Sequence, residues 1–335
     1  MLEGSERFHA TESEEKSMKS CALIWRLALS GACLCGLAAE PNRAAGAEPS
    51  ARAAPEDRFE SPDAILRSFP GELARQVKRQ HGFPSPAQLA AQTASATQGR
   101  VDVRPDPGKD LSAEEIYART RPSVVAVGEI TRCERGKHWH TAFATGFVIH
   151  PDGLIVTNAH VLTAFQRADA VGVLTDDGRV FPVRGVLAAD THNDVAVLQT
   201  DARNLPALPM ARSIGVGATV YCLSHPALNC EGTLNGFYTF TKGIVAGKFS
   251  MRWEGKAPVN VVAITADYAQ GSSGGPILNE HGAVVGIVCQ TRSLCATPDM
   301  EETQMTWKFA RPSSSILALV GQAGPSPQPP PTSPQ

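Results

Sequence analysis

The sequence predicts an all-β protein made of short antiparallel strands, with a short helix at either end of its folded part. Turn formers are abundant, with 29 glycines and 25 prolines among 335 residues. Short apolar runs rich in β-branched residues recur with turn signals about every 8 to 15 residues, which is typical of a sandwich or a barrel. Long helical stretches do not alternate with these runs, so a parallel sheet is not expected.

The strands are predicted from these apolar runs and from the turns between them. Residues 123–130 are β-branched and follow Pro122, which favours a first strand. Three hairpins are predicted where glycine-containing turn sequences separate two apolar runs. These turns are residues 151–153 (PDG), 176–178 (DDG) and 279–282 (NEHG).

Helices are predicted at the two ends of this region. Ser112 is followed three residues later by Glu115, a capping-box pattern, so residues 111–119 are expected to be helical. Residues 313–320 are expected to close the domain as a second helix. One further helix is predicted within residues 61–80.

Composition divides the chain into four regions, 1–47, 48–110, 111–320 and 321–335. The first is interpreted as an upstream segment plus a signal peptide that starts at Met18 and is cleaved after Ala47, with an uncleaved anchor as the alternative. The second is expected to be a partly helical linker or pro-region whose removal leaves activity intact. The third is the folded domain, and the last is a proline-rich, disordered tail.

Charge and hydropathy exclude several classes of function. The formal net charge is −2 and the isoelectric point is about 6.5, so no basic excess points to nucleic acid or to anionic lipid. The body of the chain holds no apolar run long enough for a membrane-spanning helix. We therefore expect no nucleic-acid partner and no integral membrane domain beyond the signal segment.

Export changes how the cysteines are interpreted, because disulfides form in oxidising compartments. Cys222 and Cys230 are close enough in sequence to close a small loop, and so are Cys289 and Cys295. Cys133 is the odd thiol. Reduced and buried thiols are the alternative, and the sequence leaves both possibilities open.

A metal site is not predicted. Cys133, His138 and His140 are close in sequence, but no fourth ligand accompanies them and the segment has the composition of an exposed loop. We expect neither a metal nor an organic cofactor.

The most informative local pattern is the glycine-rich segment of residues 271–276 (GSSGGP). A serine between glycines suits a tight turn whose backbone N–H groups face a cavity, where they stabilise negative charge developing on an attacked carbonyl oxygen. The segment also satisfies the G-x-S-x-G pattern of α/β-hydrolases, which requires an acid and then a histidine after the serine. Only His281 follows Ser273, eight residues on and within a turn, so that interpretation is disfavoured.

The partners of an activated serine lie upstream. His160 follows a predicted strand, and Asp194 directly precedes another. Neutral imidazole can accept the hydroxyl proton near pH 7, and an acid orients the imidazole. Asp190 competes with Asp194, but Asp194 abuts the apolar strand directly and is preferred.

Three segments in this order resemble the trypsin-like serine proteases, and most closely their bacterial HtrA/Deg-type branch. The segments are TGFVIHPDGLIVTNAHV (145–161), HNDVAVLQT (192–200) and ADYAQGSSGGPILNEHGAVVGIV (266–288). The resemblance covers residues 111–320. It implies two six-stranded antiparallel β-barrels with a site in the cleft between them.

The resemblance also implies roles for individual residues. His160, Asp194 and Ser273 would be the catalytic triad, and the N–H groups of Gly271 and Ser273 would form the oxyanion hole. Asp267, six residues before Ser273, would be the floor of the specificity pocket and would favour Lys or Arg before the cleaved bond.

Two departures from the family bear on regulation. In digestive members an acid precedes the serine and pairs with a new N-terminus, whereas this chain has Ser272 there, so that activation switch is expected to be absent. A PDZ domain of the HtrA type is not expected after residue 320.

The sequence as a whole favours an exported serine endopeptidase that acts on polypeptides and is periplasmic, envelope-attached or secreted. A catalytically silent binding module on the same fold is the first alternative, and an esterase of the α/β class is the second.

Overall fold

The structure is a computed structural model that describes residues 61–80, 82–96, 98–133, 136, 138–230, 232–252, 257–296 and 303–321. The expected signal segment and nearly all of the proline-rich tail lie outside the described residues.

Two closed antiparallel barrels of six strands each form the body of the protein, which confirms the predicted fold class. The first barrel consists of β1 (Val124–Arg132), β2 (Trp139–His150), β3 (Leu154–Thr157), β4 (Ala170–Leu174), β5 (Val180–Asp190) and β6 (Val195–Thr200). The second consists of β7 (Thr219–Ser224), β8 (Thr239–Met251), β9 (Val259–Ile264), β10 (Pro276–Leu278), β11 (Val284–Cys295) and β12 (Thr303–Pro312). The strand order is β1-β2-β3-β6-β5-β4 in the first barrel and β10-β11-β12-β9-β8-β7 in the second.

All three predicted hairpins are present. They join β2 to β3, β4 to β5 and β10 to β11, and each pair is antiparallel. The agreement has a local cause, because turn chemistry and the flanking apolar runs are encoded within a few residues.

Within the described residues the structure contains two helices more than expected. They are α1 (Pro62–Arg79), α2 (Pro86–Ser95), α3 (Ala113–Thr120), α4 (Ala159–Ala164) and α5 (Ser313–Val320). The predicted capping box is present, because the Ser112 side chain accepts from Glu115 N–H and the Glu115 side chain accepts from Ser112 N–H. Among the described helices, α2 and α4 were not predicted. Within the described ranges, no helix is both long enough and apolar enough to cross a membrane.

Helices α1 and α2 pack on the first barrel. Phe69 and Leu73 of α1 are fully buried, and Leu89 of α2 belongs to the same core cluster as Val125 and Leu198 of the first barrel. Part of the region expected to be a linker or pro-region is thus built into the domain.

A shared apolar layer fixes one barrel against the other. The Phe143 ring in β2 lies edge-on to the Phe237 ring of the second barrel, with 5.3 Å between centroids. Phe147 and Leu223 belong to the same cluster and are fully buried. This layer sets the cleft in which side chains from both barrels meet.

Candidate active site

His160 lies at the start of α4, directly after the short strand β3. Its backbone N–H donates to Asp194 Oδ1 at 2.9 Å, and its Nδ1 lies 2.8 Å from Asp194 Oδ2. One carboxylate therefore holds both the main chain and the ring of His160. Nδ1 carries the hydrogen in the neutral ring, because a carboxylate is an acceptor only, and Nε2 is then an acceptor.

Asp194 occupies the turn between β5 and β6 in the left-handed region, with φ of 57°. Non-glycine residues are uncommon there, although aspartate tolerates the conformation better than most. Asn158 Nδ2 donates to the Asp194 carbonyl oxygen at 2.8 Å and anchors the turn to the segment that carries His160. The sequence carried no signal for this role of Asn158.

Asp190 has a different function from Asp194. Its carboxylate accepts from the N–H groups of His192 and Asn193, both at 2.9 Å, and from Asn193 Nδ2 at 2.6 Å. Burial alone would raise the pKa of Asp190, but these hydrogen bonds outweigh burial and hold the pKa below its ordinary value. Asp190 thus stabilises the turn, while Asp194 contacts the histidine.

Ser273 belongs to the turn between β9 and β10 of the second barrel. Its Oγ lies 3.2 Å from His160 Nε2. The structure therefore brings together all three side chains that the motifs singled out, although 113 positions separate His160 from Ser273. A hydroxyl within hydrogen-bond reach of an oriented imidazole is an arrangement that can produce a nucleophile.

The N–H groups of Gly271 and Ser273 have no hydrogen-bond acceptor among the described residues. Gly271 has φ of +89°, and a Cβ at this position would lie 2.5 Å from the His225 carbonyl oxygen, so a side chain is not accommodated. The Gln270 carbonyl accepts from Ala227 N–H at 2.6 Å, and the Ser272 carbonyl accepts from Gly275 N–H at 2.9 Å. Because C=O and N–H point in opposite directions in a trans peptide, these contacts turn the N–H groups of Gly271 and Ser273 away from the turn.

Ser272, which directly precedes Ser273, is fully buried. Its Oγ accepts from Ser224 Oγ at 2.9 Å and lies 3.4 Å from Ala269 N–H. A local hydrogen-bond network therefore supports this part of the turn.

Asp267 does not match the buried pocket carboxylate expected from the sequence. Its side chain is 81% exposed, and Oδ1 pairs with Lys308 Nζ at 3.0 Å. Lys308 also donates to the Tyr268 carbonyl oxygen and is mostly buried. No motif indicated this partner, which lies 41 residues further along the chain.

His225 is a buried neutral histidine beside the turn. Its Nδ1 accepts from Tyr238 N–H at 3.0 Å, and its carbonyl oxygen accepts from Asn235 Nδ2 at 2.9 Å. Burial lowers the pKa of His225 to about 3, so the ring carries no charge at neutral pH. Its position is structural.

Neither local disulfide is present, because Cys222, Cys230, Cys289 and Cys295 are free thiols. Cys222 is buried inside the second barrel, whereas Cys230 is exposed. Burial raises the pKa of both Cys222 and Cys289 to about 12. Close spacing in sequence therefore did not bring the thiols together.

Comparison with known proteins agrees with this geometry. Residues 144–287 match the family described as trypsin-like peptidase domain. A probable periplasmic serine endoprotease DegP-like from Halomonas elongata is 37% identical over 158 residues, which are 45% of this chain and 30% of that protein. A putative serine protease HhoB from Synechocystis sp. is 32% identical over 43% of this chain and 33% of its own length. The matched region thus spans about a third of these relatives.

Among solved structures, an HtrA-type protease AlgW with tripeptide is 24% identical, with a TM-score of 0.48, and the match covers 62% of each chain. The similarity is carried by these sequence matches. Residues 144–287 of this chain are similar to a trypsin-like peptidase domain, and the proteins that the chain resembles include HtrA/DegP-type serine endoproteases.

Proposed function

We propose that this protein is an exported serine endopeptidase that hydrolyses peptide bonds through an acyl-enzyme, with Ser273, His160 and Asp194 as its catalytic triad. The observation that carries the proposal is the continuous contact from Asp194 Oδ2 through the His160 ring to Ser273 Oγ, at 2.8 and 3.2 Å. The oxyanion hole is formed by the N–H groups of Gly271 and Ser273.

In the acylation step, Ser273 Oγ attacks the carbonyl carbon of the scissile bond and its proton passes to His160 Nε2. The carbonyl oxygen becomes negatively charged and is held by the two free N–H groups. Asp194 stabilises the imidazolium without taking its proton. The intermediate then collapses, the C–N bond breaks, and His160 protonates the departing amine.

In the second step a water molecule takes the place of the amine. His160 removes a proton from the water, and the resulting hydroxide attacks the acyl carbon. The intermediate releases the carboxylic acid product, and Ser273 Oγ recovers its proton from His160. The chain's own residues thus supply each proton transfer in the cycle.

The alternative of a silent binding module predicts a separated or broken triad. The described contacts give no support to that alternative. The interpretation as an esterase of the α/β class is wrong, because that class requires a mostly parallel sheet and this domain consists of two antiparallel barrels.

Polypeptide is the proposed substrate class, in keeping with the relatives named as endoproteases. The Lys308–Asp267 ion pair argues against a preference for Lys or Arg before the cleaved bond, because the carboxylate is already neutralised and faces solvent. Export is proposed from the signal-like segment of residues 18–47 and from the periplasmic location printed in the name of the Halomonas elongata relative.

The experiment uses the full chain and a fluorophosphonate probe, which labels an activated serine without requiring the right peptide sequence. We expect labelling of the wild type at Ser273, loss of labelling in Ser273→Ala, and retention in Ser95→Ala, an exposed serine on α2. Casein cleavage measured beside the labelling tests hydrolysis. Absence of labelling in a folded wild type would support the silent module instead.

A further inference from the structure

Thr145 of the first barrel makes two hydrogen bonds to the serine-bearing turn of the second barrel. Its backbone N–H donates to the Ser273 carbonyl oxygen at 2.8 Å, and its Oγ1 donates to the Gly271 carbonyl oxygen at 2.9 Å. Thr145 is fully buried. One residue thus contacts the turn on both sides of the peptide that carries Ser273 N–H.

The strand geometry explains why Thr145 is available for this contact. Strand β2 pairs with β3 only from Phe147 onward, so the N–H and C=O groups of Thr145 on that side have no strand partner. The N–H turns to Ser273, and the carbonyl oxygen accepts from Thr157 Oγ1 at 2.8 Å. The hydroxyl itself is oriented by His225 N–H, which donates to Thr145 Oγ1 at 3.1 Å.

Four successive peptide planes of the turn are consequently fixed through their carbonyl groups. Contacts within the second barrel hold the Gln270 and Ser272 carbonyls, whereas Thr145 holds the Gly271 and Ser273 carbonyls. Rotating the Gly271–Ser272 plane would turn the two neighbouring planes with it, and those planes carry the N–H groups of Gly271 and Ser273.

We propose that Thr145 is a positioning residue that fixes the orientation of the Gly271 and Ser273 N–H groups through its hydroxyl. This inference rests on the proposed function, because the oriented groups matter for catalysis only if a carbonyl oxygen is held there. Thr145 does not contact His160 or Asp194 in any described hydrogen bond. The effect of a Thr145 substitution on the oriented N–H groups can therefore be distinguished from an effect on proton transfer by His160 and Asp194.

The test compares Thr145→Val, which keeps the shape and removes the hydroxyl, with Thr145→Ser, which keeps the hydroxyl. The matched control is Thr93→Val, since Thr93 is also buried and its Oγ1 donates to a carbonyl, that of Leu89, at 2.8 Å in α2. Removal of an oxyanion donor itself costs roughly 100- to 1000-fold in kcat. We expect Thr145→Val to lower kcat by roughly 10- to 100-fold, with KM within about threefold of wild type, because the donors are displaced and not removed.

Affinity for a peptide boronate provides a second measurement. Ser273 Oγ adds to the trigonal boron, the serine proton passes to His160, and boron becomes tetrahedral and negatively charged. We expect Thr145→Val to weaken this inhibitor by about the same factor as kcat, since both depend on the oriented N–H groups. The acidic limb of the pH–rate profile should stay in place, and Thr145→Ser should restore both values to within about threefold.

Hydrogen exchange keeps the test independent of turnover. The N–H groups of Ser272 and Gly274 donate to the carbonyls of Ala269 and Val288 and report on the turn. We expect faster exchange over residues 266–276 in Thr145→Val and unchanged exchange there in Thr93→Val. The proposal is overturned if Thr145→Val keeps kcat within about twofold, if Thr145→Ser is equally impaired, or if exchange is unchanged. A wild type without hydrolysis but with faster exchange in Thr145→Val would refute the proposed function and leave the positioning of the turn established.

Discussion

Gly128 of β1 and Gly172 of β4 are register partners on neighbouring strands of the first barrel, and together they make room on its outer surface for helix α1. A Cβ on Gly128 would lie 2.7 Å from the Phe69 ring, and a Cβ on Gly172 would lie 2.6 Å from Leu73 Cδ1. The barrel surface and the helix are therefore complementary in shape, and the helix is an integral part of the folded domain.

Truncation of the Phe69 side chain should destabilise the domain. We expect Phe69→Ala to lower the free energy of unfolding by about 3 to 5 kcal/mol, because the ring is fully buried between Gly128 and Phe143. Leu228→Ala, at an exposed position, is the control and should change it little. Urea unfolding measures both, and an equal effect of the two variants would show that α1 packing contributes nothing.

Deletion of residues 48–108 should have the same kind of effect. The sequence led us to expect that activity survives this deletion, but the structure buries Phe69, Leu73 and Leu89 of that region against the first barrel. We now expect the shortened chain to melt at a lower temperature and to aggregate through the apolar barrel surface that α1 and α2 cover in the full chain. Circular dichroism and light scattering decide the matter, and an unchanged melting temperature would restore the pro-region interpretation.

Replacement by asparagine should have different effects on activity at the two aspartates of the β5–β6 turn. We expect Asp194→Asn to lower kcat by roughly ten-thousandfold, because the amide favours the wrong imidazole tautomer. Asp190→Asn should weaken the turn but leave the His160 contact in place, so its kcat should stay within about tenfold of wild type. Steady-state kinetics on one peptide substrate compare them, and a reversed order would move the catalytic acid to Asp190.

Peptides ending in Arg and in Ala before the cleaved bond test the specificity pocket. Asp267 is exposed and paired with Lys308, so we expect no preference for the Arg peptide in kcat/KM. Asp267→Asn serves as the paired variant and should leave the ratio unchanged. A strong preference for Arg that disappears in Asp267→Asn would reinstate this residue as the pocket floor.

The buried imidazole of His225 should make stability depend on pH. Its pKa is about 3 in the folded state and near 6.5 when the chain is unfolded, so between these values only the unfolded chain binds the proton. Above pH 6.5 protonation of His225 does not reduce the free energy of unfolding. Between pH 6.5 and pH 5 it lowers the free energy of unfolding by about 2 kcal/mol. His225→Asn keeps an acceptor for Tyr238 N–H and should reduce this dependence, whereas the exposed His140→Asn should not. Urea unfolding at several pH values measures the difference, and equal slopes would contradict it.

Thiol reactivity should follow burial. We expect iodoacetamide to modify the exposed Cys230 in the native protein, while Cys222 and Cys289 react only after denaturation, because burial keeps their pKa near 12. Mass mapping of the non-reduced protein should find no peptide linking Cys222 to Cys230. Detection of that linked peptide would favour the disulfide interpretation of the sequence.

The parts of the fold that were predicted from sequence are those encoded locally. The three hairpins and helices α3 and α5 follow from turns, caps and apolar runs within a few residues. Helix α2, which was not predicted, also carries a local signal, since Ser85 and Gln88 form a capping box at its start.

Those site residues that lie in sequence motifs were predictable. His160, Asp194 and Ser273 each lie in a recognisable segment, so their meeting in the cleft was expected. The roles of Thr145, Asn158 and Ala227 depend on contacts between segments far apart in the chain, for which a single threonine, asparagine or alanine gives no signal. The ion pair of Asp267 gives no sequence signal for the same reason, because its partner Lys308 lies on another strand.

The distribution of these residues over two barrels has a consequence for the life of the polypeptide. In the proposed mechanism the base and the acid belong to the first barrel and the nucleophile to the second, and Thr145 of the first barrel donates a hydrogen bond to the turn that carries the nucleophile. A nascent or heat-damaged copy in which the barrels have not docked would contain all the reactive groups and still not cleave other polypeptides. Docking of the two barrels during folding would then be the step that confers activity.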